Sequence, residues 1–350
     1  VKFDDMLKQK SEWLKGAGPD SDIVMSSRIR LARNLAGVSF PHWANNKDRD
    51  EIYQRTSKVF LIDPYLKKGF LSRIKDLSPI EKQFLVERHL VSREHIMRLD
   101  HKGVLISSDE SISIMVNEED HLRIQVMKSG LNLNEAWVVA DRLDDFLGSK
   151  LNFAFDKEWG WLTTCPTNAG TGMRASIMLH LPCLVMTKEI GRILQAITKL
   201  GLTARGLFGE GTEASGNFFQ FSNQVTLGRR ELDIIDNLNR IARQLINHEQ
   251  NARRAIYSRN RSALEDRIYR ALGTLESARI ISSRETIELL SLVRLGVDIG
   301  IVKDIDRGVV NALFISIQPG HLQKIAGKVL SPAGRDLERA KLIREKLSLK

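Results

Sequence analysis

Three short segments of this 350-residue chain gather residue types that do chemistry. The first is an acidic turn, Asn117-Glu118-Glu119-Asp120-His121-Leu122-Arg123. Three adjacent carboxylates repel one another and call for a nearby cation. A bound guanidinium is such a cation, and its planar fork suits carboxylates. An exposed acidic hairpin turn would use the same residues. The second segment is Thr163-Thr164-Cys165-Pro166-Thr167-Asn168-Ala169-Gly170-Thr171-Gly172-Met173-Arg174-Ala175-Ser176. It reads as a glycine-rich loop running into a helix, which presents backbone N–H groups to an anion. No Gly-Lys-Ser/Thr follows, so it is not a Walker A loop, and glycine before a helix is also ordinary turn chemistry. Taken alone, Cys165 reads as a buried small residue. The third segment is Arg205-Gly206-Leu207-Phe208-Gly209-Glu210-Gly211. A strand pattern follows these glycines where a dinucleotide fingerprint requires a helix. Glu210 sits between two glycines, as on a loop that presents a carboxylate or on a plain solvent loop.

Five arginines, Arg28, Arg30, Arg123, Arg174 and Arg205, fall on strand patterns or at loop-to-helix junctions. Guanidinium groups make bidentate phosphate contacts, and several together spread the charge of a transferring phosphoryl group.

The elements that must position these residues alternate in the first two thirds of the chain. Residues 23–31 end in a strand-like alternation, with Arg28 and Arg30 on one face and Ile29 and Leu31 on the other. Residues 103–107, 111–116 and 121–127 read as successive short strands, and their short connections favour antiparallel pairing. Further strands are expected at 202–208 and 218–225, with helices at 6–14 and 134–147. From 231 the pattern turns helical: 231–259, 263–275, 284–295 and 335–347. The fold class expected is α+β, an antiparallel sheet flanked by helices, with a catalytic domain at 1–254 and a helical C-terminal domain at 255–350.

Composition places limits on function. The hydrophobic fraction is 42% and the charged fraction 27%, ordinary for a globular protein. The N-terminus lacks a signal-peptide pattern and no run is long enough to span a bilayer, so a cytoplasmic protein without membrane contact is expected. Two cysteines, Cys165 and Cys183, argue against a disulfide framework or a cysteine-rich zinc site. The net charge is +10, and residues 229–350 hold 23 Lys and Arg against 15 Asp and Glu. That basic third reads as a solvated helical surface, or as a binding face for nucleic acid or an acidic protein.

In order along the chain, Ser-Ser-Arg-Ile-Arg, Asn-Glu-Glu-Asp-His-Leu-Arg, Cys-Pro-Thr-Asn-Ala-Gly-Thr-Gly-Met-Arg-Ala-Ser and Arg-Gly-x-x-Gly-Glu resemble the motifs of the phosphagen (guanidino) kinases. Only 25 residues precede the first motif, and a C-terminal extension carries Arg335-Asp336-Leu337-Glu338-Arg339-Ala340. Both features are similar to the bacterial protein arginine kinases, whose extension holds an Arg-Asp-x-x-Arg-Ala phosphoarginine-binding motif.

This resemblance implies the roles. ATP, with Mg²⁺ on its phosphates and mostly water ligands, would bind along Ser26, Ser27, Arg28, Ile29 and Arg30, at His89, at Arg123, along Arg174, Ala175, Ser176, Ile177 and Met178, and along Arg205, Gly206, Leu207, Phe208, Gly209 and Glu210. No residue set reads as a dedicated metal cage. Glu119 would be the catalytic base and Glu210 the second carboxylate on the acceptor guanidinium. Cys165 would be the redox-sensitive active-site cysteine. The implied partners are arginine-bearing protein substrates, a DNA-binding stress repressor, an activator protein and degradation machinery, in a homodimer or higher oligomer serving stress response and protein quality control. The competing readings are a small-molecule arginine kinase and a non-catalytic adaptor for proteins or DNA. The short N-terminal segment speaks against the first, and retention of both glutamates and all five arginines against the second.

Overall fold

Antiparallel register carries the strand alternation across a whole sheet. The computed structural model describes residues 3–97, 101–206 and 215–348. The elements run α1 (Asp5–Lys8), β1 (Val24–Arg33), α2 (Asn46–Phe60), β2 (Phe70–Arg73), α3 (Pro79–Glu87), β3 (Gly103–Ile106), β4 (Ile112–Val116), β5 (Leu122–Ser129) and α4 (Leu133–Leu151). They continue as β6 (Phe155–Asp156), β7 (Gly160–Trp161), β8 (Met173–His180), α5 (Pro182–Met186), α6 (Ile190–Lys199), β9 (Leu202–Gly206) and β10 (Phe218–Asn223). The helices α7 (Glu231–Ser277), α8 (Ser283–Asp298), α9 (Arg307–Ser316), α10 (Pro319–Ala326) and α11 (Pro332–Ser348) complete the described chain. Eight strands form one sheet in the order β2-β3-β4-β5-β1-β8-β10-β9, and each neighbouring pair is antiparallel.

Residues directly opposite in such a pair share a face. Arg30 lies opposite Arg174 and Gln125, Arg28 opposite Ser176, Ala32 opposite Arg123, and Gln220 opposite Arg205. The pleat therefore gathers all five arginines on one face. The other face carries Ile29, Leu31, Ile124, Val126, Ala175, Ile177 and Phe221, all buried in the main core. Helix α4 covers that face across β1 and β5. It does so with Leu133, Ala136, Ala140, Leu143, Leu147 and Leu151, a stripe at helical spacing.

The C-terminal helices share this core. Leu290, Phe314 and Ile343 belong to the same apolar cluster as the sheet residues, and Phe314 meets Phe218 edge-on at 4.9 Å. The expected helices at 231–259 and 263–275 are joined in α7, with non-helical dihedrals only at Asn260. Residues 254 and 255 lie inside that helix.

Several local expectations are corrected. The glycine-rich loop of 163–176, expected to run into a helix, runs instead into the central strand β8. Met, Arg, Ala and Leu are good helix formers, but pairing with β1 on one side and β10 on the other decides the outcome. The expected helix at 6–14 breaks into α1 and a 3-10 turn over Glu12–Leu14. Strand β9 is described to Gly206, and Leu207, Phe208, Gly209 and Glu210 lie outside the described residues. Among the described residues no helix is long and apolar enough to cross a membrane.

Candidate active site

The arginine face forms one wall of a cleft of about 1420 Å³. Arg28, Arg30, Arg123, Arg174, Arg205 and Gly206 line it, with His89, Glu118 and Glu119. Polar side chains of the same face fix the guanidinium groups. Arg28 Nε donates to Ser176 Oγ at 3.2 Å and its Nη2 to Gln220 Oε1 at 2.7 Å. Arg174 donates to Ser222 Oγ from Nε and Nη2 and to Thr203 Oγ1 from Nη2, at 3.1–3.3 Å. These partners are neutral and leave the positive charge uncompensated. Burial and the charges of Arg123 and Arg174 push Arg28 down to about 10. Arg30 is lowered by burial and by Arg28, Arg123 and Arg174, and its buried Nε has no hydrogen-bond partner. Burial and the charges of Arg205 and Arg123 lower Arg174 as well. Such a cluster is built for an anion of high charge, and a polyphosphate fits it.

His89 owes its place to a strained helix end. Helix α3 starts with a capping box, Ser78 with Glu81, and Pro79 in its first turn. It ends in a Schellman arrangement: Leu90 N–H donates to Leu85 O at 3.0 Å and His89 N–H to Val86 O at 2.9 Å. His89 holds the left-handed position, φ +58°, where glycine is usual and a side chain costs about 1 kcal/mol. That cost places an imidazole in the cleft. The ring meets Trp13 edge-on at 5.4 Å, and its buried Nε2 has no partner. Burial, with Arg28 and Arg93, pushes its pKa down to about 3, so it is neutral.

The acidic turn divides its three carboxylates among three tasks. Glu118 accepts from Arg123 Nη1 on both oxygens at 2.7 Å and from Ser92 Oγ at 2.6 Å. Burial would raise Glu118, but Arg123 and Ser92 together hold it below the ordinary carboxylate range. Asp120 is buried and accepts from Asn34 Nδ2 and the Thr164 N–H, both at 2.7 Å. It thereby ties the turn to the loop that carries Cys165. Glu119 is the carboxylate left over. It is half-buried in the cleft, and its nearest cation is Arg123 Nη2 at 3.9 Å. Burial, with Asp120 and Glu118, raises it above the ordinary Glu value, against the pull of Arg123 and His42. A raised, partly exposed carboxylate beside a phosphate-binding cleft suits a proton acceptor.

Other expected residues fall elsewhere. The side chains of Ile29, Ala175 and Ile177 join the apolar core. Ser27 Oγ donates to Gly130 O and accepts from Asn132 N–H. Ser26, Ser176 and Met178 border a narrow space beside Trp13 and His89. Cys165 is half-exposed, not buried, with Sγ 3.0 Å from Thr167 Oγ1. In α11, Arg339 is buried, with Nε on Ile317 O at 3.0 Å and Nη1 on Ile281 O at 2.8 Å and on Asp336. Arg335 gives Nη1 to Leu330 O at 3.0 Å. The two arginines share the helix, and Arg339 is buried with its partners inside the fold while Arg335 is half-buried. Ala340 is buried, Leu337 exposed, and Glu338 half-buried.

Sequence reasoning assigned Glu118 no role of its own within the acidic turn and did not single out Ser92, Gln220 and Ser222. The last two alternate with Phe219 and Phe221, a period-two signal that marks a polar face. Among the described residues no group of three or more His, Cys, Asp or Glu side chains is placed to hold a metal ion.

Comparison with known proteins agrees with this geometry. Residues 51–252 match the ATP:guanido phosphotransferase C-terminal catalytic domain, and residues 261–350 match the protein-arginine kinase McsB C-terminal domain. The protein-arginine kinase of Symbiobacterium thermophilum is 50% identical over 345 residues, covering 97% of this chain and 98% of its own. That of Bacillus subtilis is 49% identical over 341 residues, covering 97% and 94%. Among solved structures, lombricine kinase superposes with a TM-score of 0.60 at 24% identity, over 67% of this chain and 68% of its own, a likeness of fold. The duplicated taurocyamine kinase from Schistosoma mansoni, with bound transition state analog components, gives 0.60 at 25% identity over 74% and 39%. The chain belongs to the ATP:guanido phosphotransferase family, within its protein-arginine kinase branch.

Proposed function

We propose that this protein transfers the γ-phosphoryl group of ATP to the guanidinium of arginine side chains in proteins. The observation that carries the reading is the cleft itself: five arginines on one wall, of which only Arg123 is paired with a carboxylate among the described residues, and the raised carboxylate of Glu119 beside them. Arg28, Arg30, Arg123, Arg174 and Arg205 hold the phosphates. His89 presents a neutral ring to the nucleotide. Mg²⁺ bound with ATP would offset the charge of the phosphates, and no side-chain cluster among the described residues would hold it apart from the nucleotide.

A guanidinium is not a nucleophile while protonated. Glu119 orients the acceptor and takes one N–H proton as the nitrogen attacks phosphorus. The N–P bond forms, the bond from phosphorus to the β–γ bridging oxygen breaks, and ADP leaves with that electron pair. Glu210, on the segment between the described residues 206 and 215, is proposed to grip the other edge of the acceptor.

The division into a catalytic part, 1–254, and a helical part, 255–350, is supported by two separate family matches and by the Asn260 irregularity in α7. The helical part is proposed to bind phosphoarginine through Arg335 and Asp336, with Arg339 holding the scaffold. Cytoplasmic work in stress response, an activator, degradation machinery, a DNA-binding repressor as substrate and a dimeric or larger assembly complete the proposal.

The test is incubation with ATP-Mg²⁺ and either an unfolded arginine-rich protein or free arginine. Acid-labile phosphate on the protein, with a higher kcat/KM per arginine than for the free amino acid, is the expected result. Preference for free arginine would return the chain to small-molecule kinases, and no transfer at all would leave an adaptor.

A further inference from the structure

His89 is held in its unfavourable conformation by residues that precede it directly, and these are gripped by a helix more than 200 residues away. The Glu87 carboxylate accepts from Gly320 N–H at 2.7 Å, from His321 N–H at 3.0 Å and from His321 Nδ1 at 2.8 Å. Arg88 Nε donates to His321 Nε2 at 3.2 Å. A guanidinium only donates, so Nε2 is the bare nitrogen and Nδ1 carries the proton. The ring is therefore neutral, and it stacks on Phe84 with centroids 4.1 Å apart. The first turn of α10 leaves no room for a side chain at 320, where a Cβ would stand 2.9 Å from both Glu87 Oε2 and Phe84 N.

The same arginine reaches the other side of His89. Arg88 Nη1 donates to Met6 O at 2.8 Å and pairs with Glu110, and Nη2 donates to Gln9 O at 3.1 Å. Glu110 in turn accepts from Ser11 Oγ. Ser11 precedes the 3-10 turn that carries Trp13, the ring packed against His89. Backbone and ring of His89 are thus both fixed by groups that meet at Arg88, and Arg88 and Glu87 meet at His321. None of these three side chains belongs to the cleft's arginine wall.

We propose that His321 is a positioning residue for the nucleotide: through Glu87 and Arg88 it clasps the end of α3 and aims His89 into the cleft. The inference rests on the reading of that cleft as the ATP site. Its test uses the full chain with His321→Ala, His321→Asn and His321→Gln. Asparagine can keep the donor toward Glu87, and glutamine the acceptor toward Arg88. The readouts are the Kd of ADP-Mg²⁺ by calorimetry, KM for ATP, KM for the protein acceptor, and kcat.

His321→Ala should raise Kd and KM for ATP about 5- to 10-fold, the equivalent of one ordinary hydrogen bond, with kcat and acceptor KM within about 2-fold. Each amide variant should recover part of that loss. A folded His321→Ala protein with wild-type nucleotide affinity would overturn the clasp while leaving the ATP reading intact. Parallel losses in kcat and in both KM values, or amide variants no better than alanine, would also overturn it by showing a merely structural role. Wild-type protein that binds no nucleotide would remove the ATP reading and this inference together.

Discussion

Arg339 in α11 and Arg30 in the cleft are opposite uses of one side chain. The Arg339 guanidinium meets two carbonyl oxygens and the Asp336 carboxylate inside the fold. Arg30 Nε is also buried, yet it meets nothing, and its charged neighbours are mostly other arginines. Strand β1 holds the same contrast within a few residues: Arg33 is buried and paired bidentately with Asp144, at 2.7–3.0 Å. A satisfied cation is part of the scaffold, whereas a cluster of unsatisfied ones stores repulsion until an anion arrives. Motif membership alone does not separate the two cases, because Arg30 and Arg339 both fall in motifs.

The largest effect expected is at the carboxylate that faces the uncompensated wall. Glu119→Gln should lower kcat by about 10²- to 10⁴-fold, the usual worth of a general base, while ADP-Mg²⁺ binding stays near wild type. The pH profile sharpens this. Glu119 must be ionised to accept a proton, and its pKa is raised by burial. Wild-type kcat/KM should therefore fall as pH drops through a value above 4.5, and the glutamine variant should lack that limb. Near-wild-type turnover by a folded Glu119→Gln protein would end the assignment.

The scaffold arginine comes next. Arg339→Ala strands two buried carbonyls and an aspartate, and should cost about 2–4 kcal/mol of unfolding free energy. Denaturant titration measures this. The cleft arginine should behave the other way. Arg30→Met removes a buried, repelled charge, so the nucleotide-free protein should melt at the same temperature or higher. Its kcat/KM for ATP should drop about 10- to 100-fold, as for loss of a charge-assisted phosphate contact. Equal destabilisation by both substitutions would break the comparison.

The sheet was largely legible because one of its faces is wet and charged. Arg28 and Arg30 alternate with Ile29 and Leu31, and that period survives any uncertainty in the ends. β8 was not legible, since its residues favour helices locally and only its two strand partners make it extended. The arginines and the acidic turn were found by type and order, yet the division of labour within the turn was not. Whether Glu118 or Glu119 is free depends on Ser92 and on Arg123 folding back. The left-handed state of His89 and the 234-residue reach from Glu87 to His321 leave no local trace in the sequence.

The smallest stability effect should come from the other arginine of the C-terminal motif, and it is the most discriminating. Arg335 is half-buried, and its side chain makes one described hydrogen bond, to Leu330 O just before its own helix. Arg335→Ala should therefore shift unfolding free energy by no more than about 0.5 kcal/mol, as for a surface residue. If Arg335 is the cation of α11 that serves a ligand, the same substitution should abolish binding of a phosphoarginine peptide, since it removes the charge-assisted contact to the phosphate. Asp336→Asn separates the alternatives. Asp336 already holds Arg339, so its loss should cost both stability and peptide binding. A phosphoarginine peptide that binds wild type and Arg335→Ala equally well would place every motif arginine in the scaffold class and leave the cleft as the site of uncompensated charge.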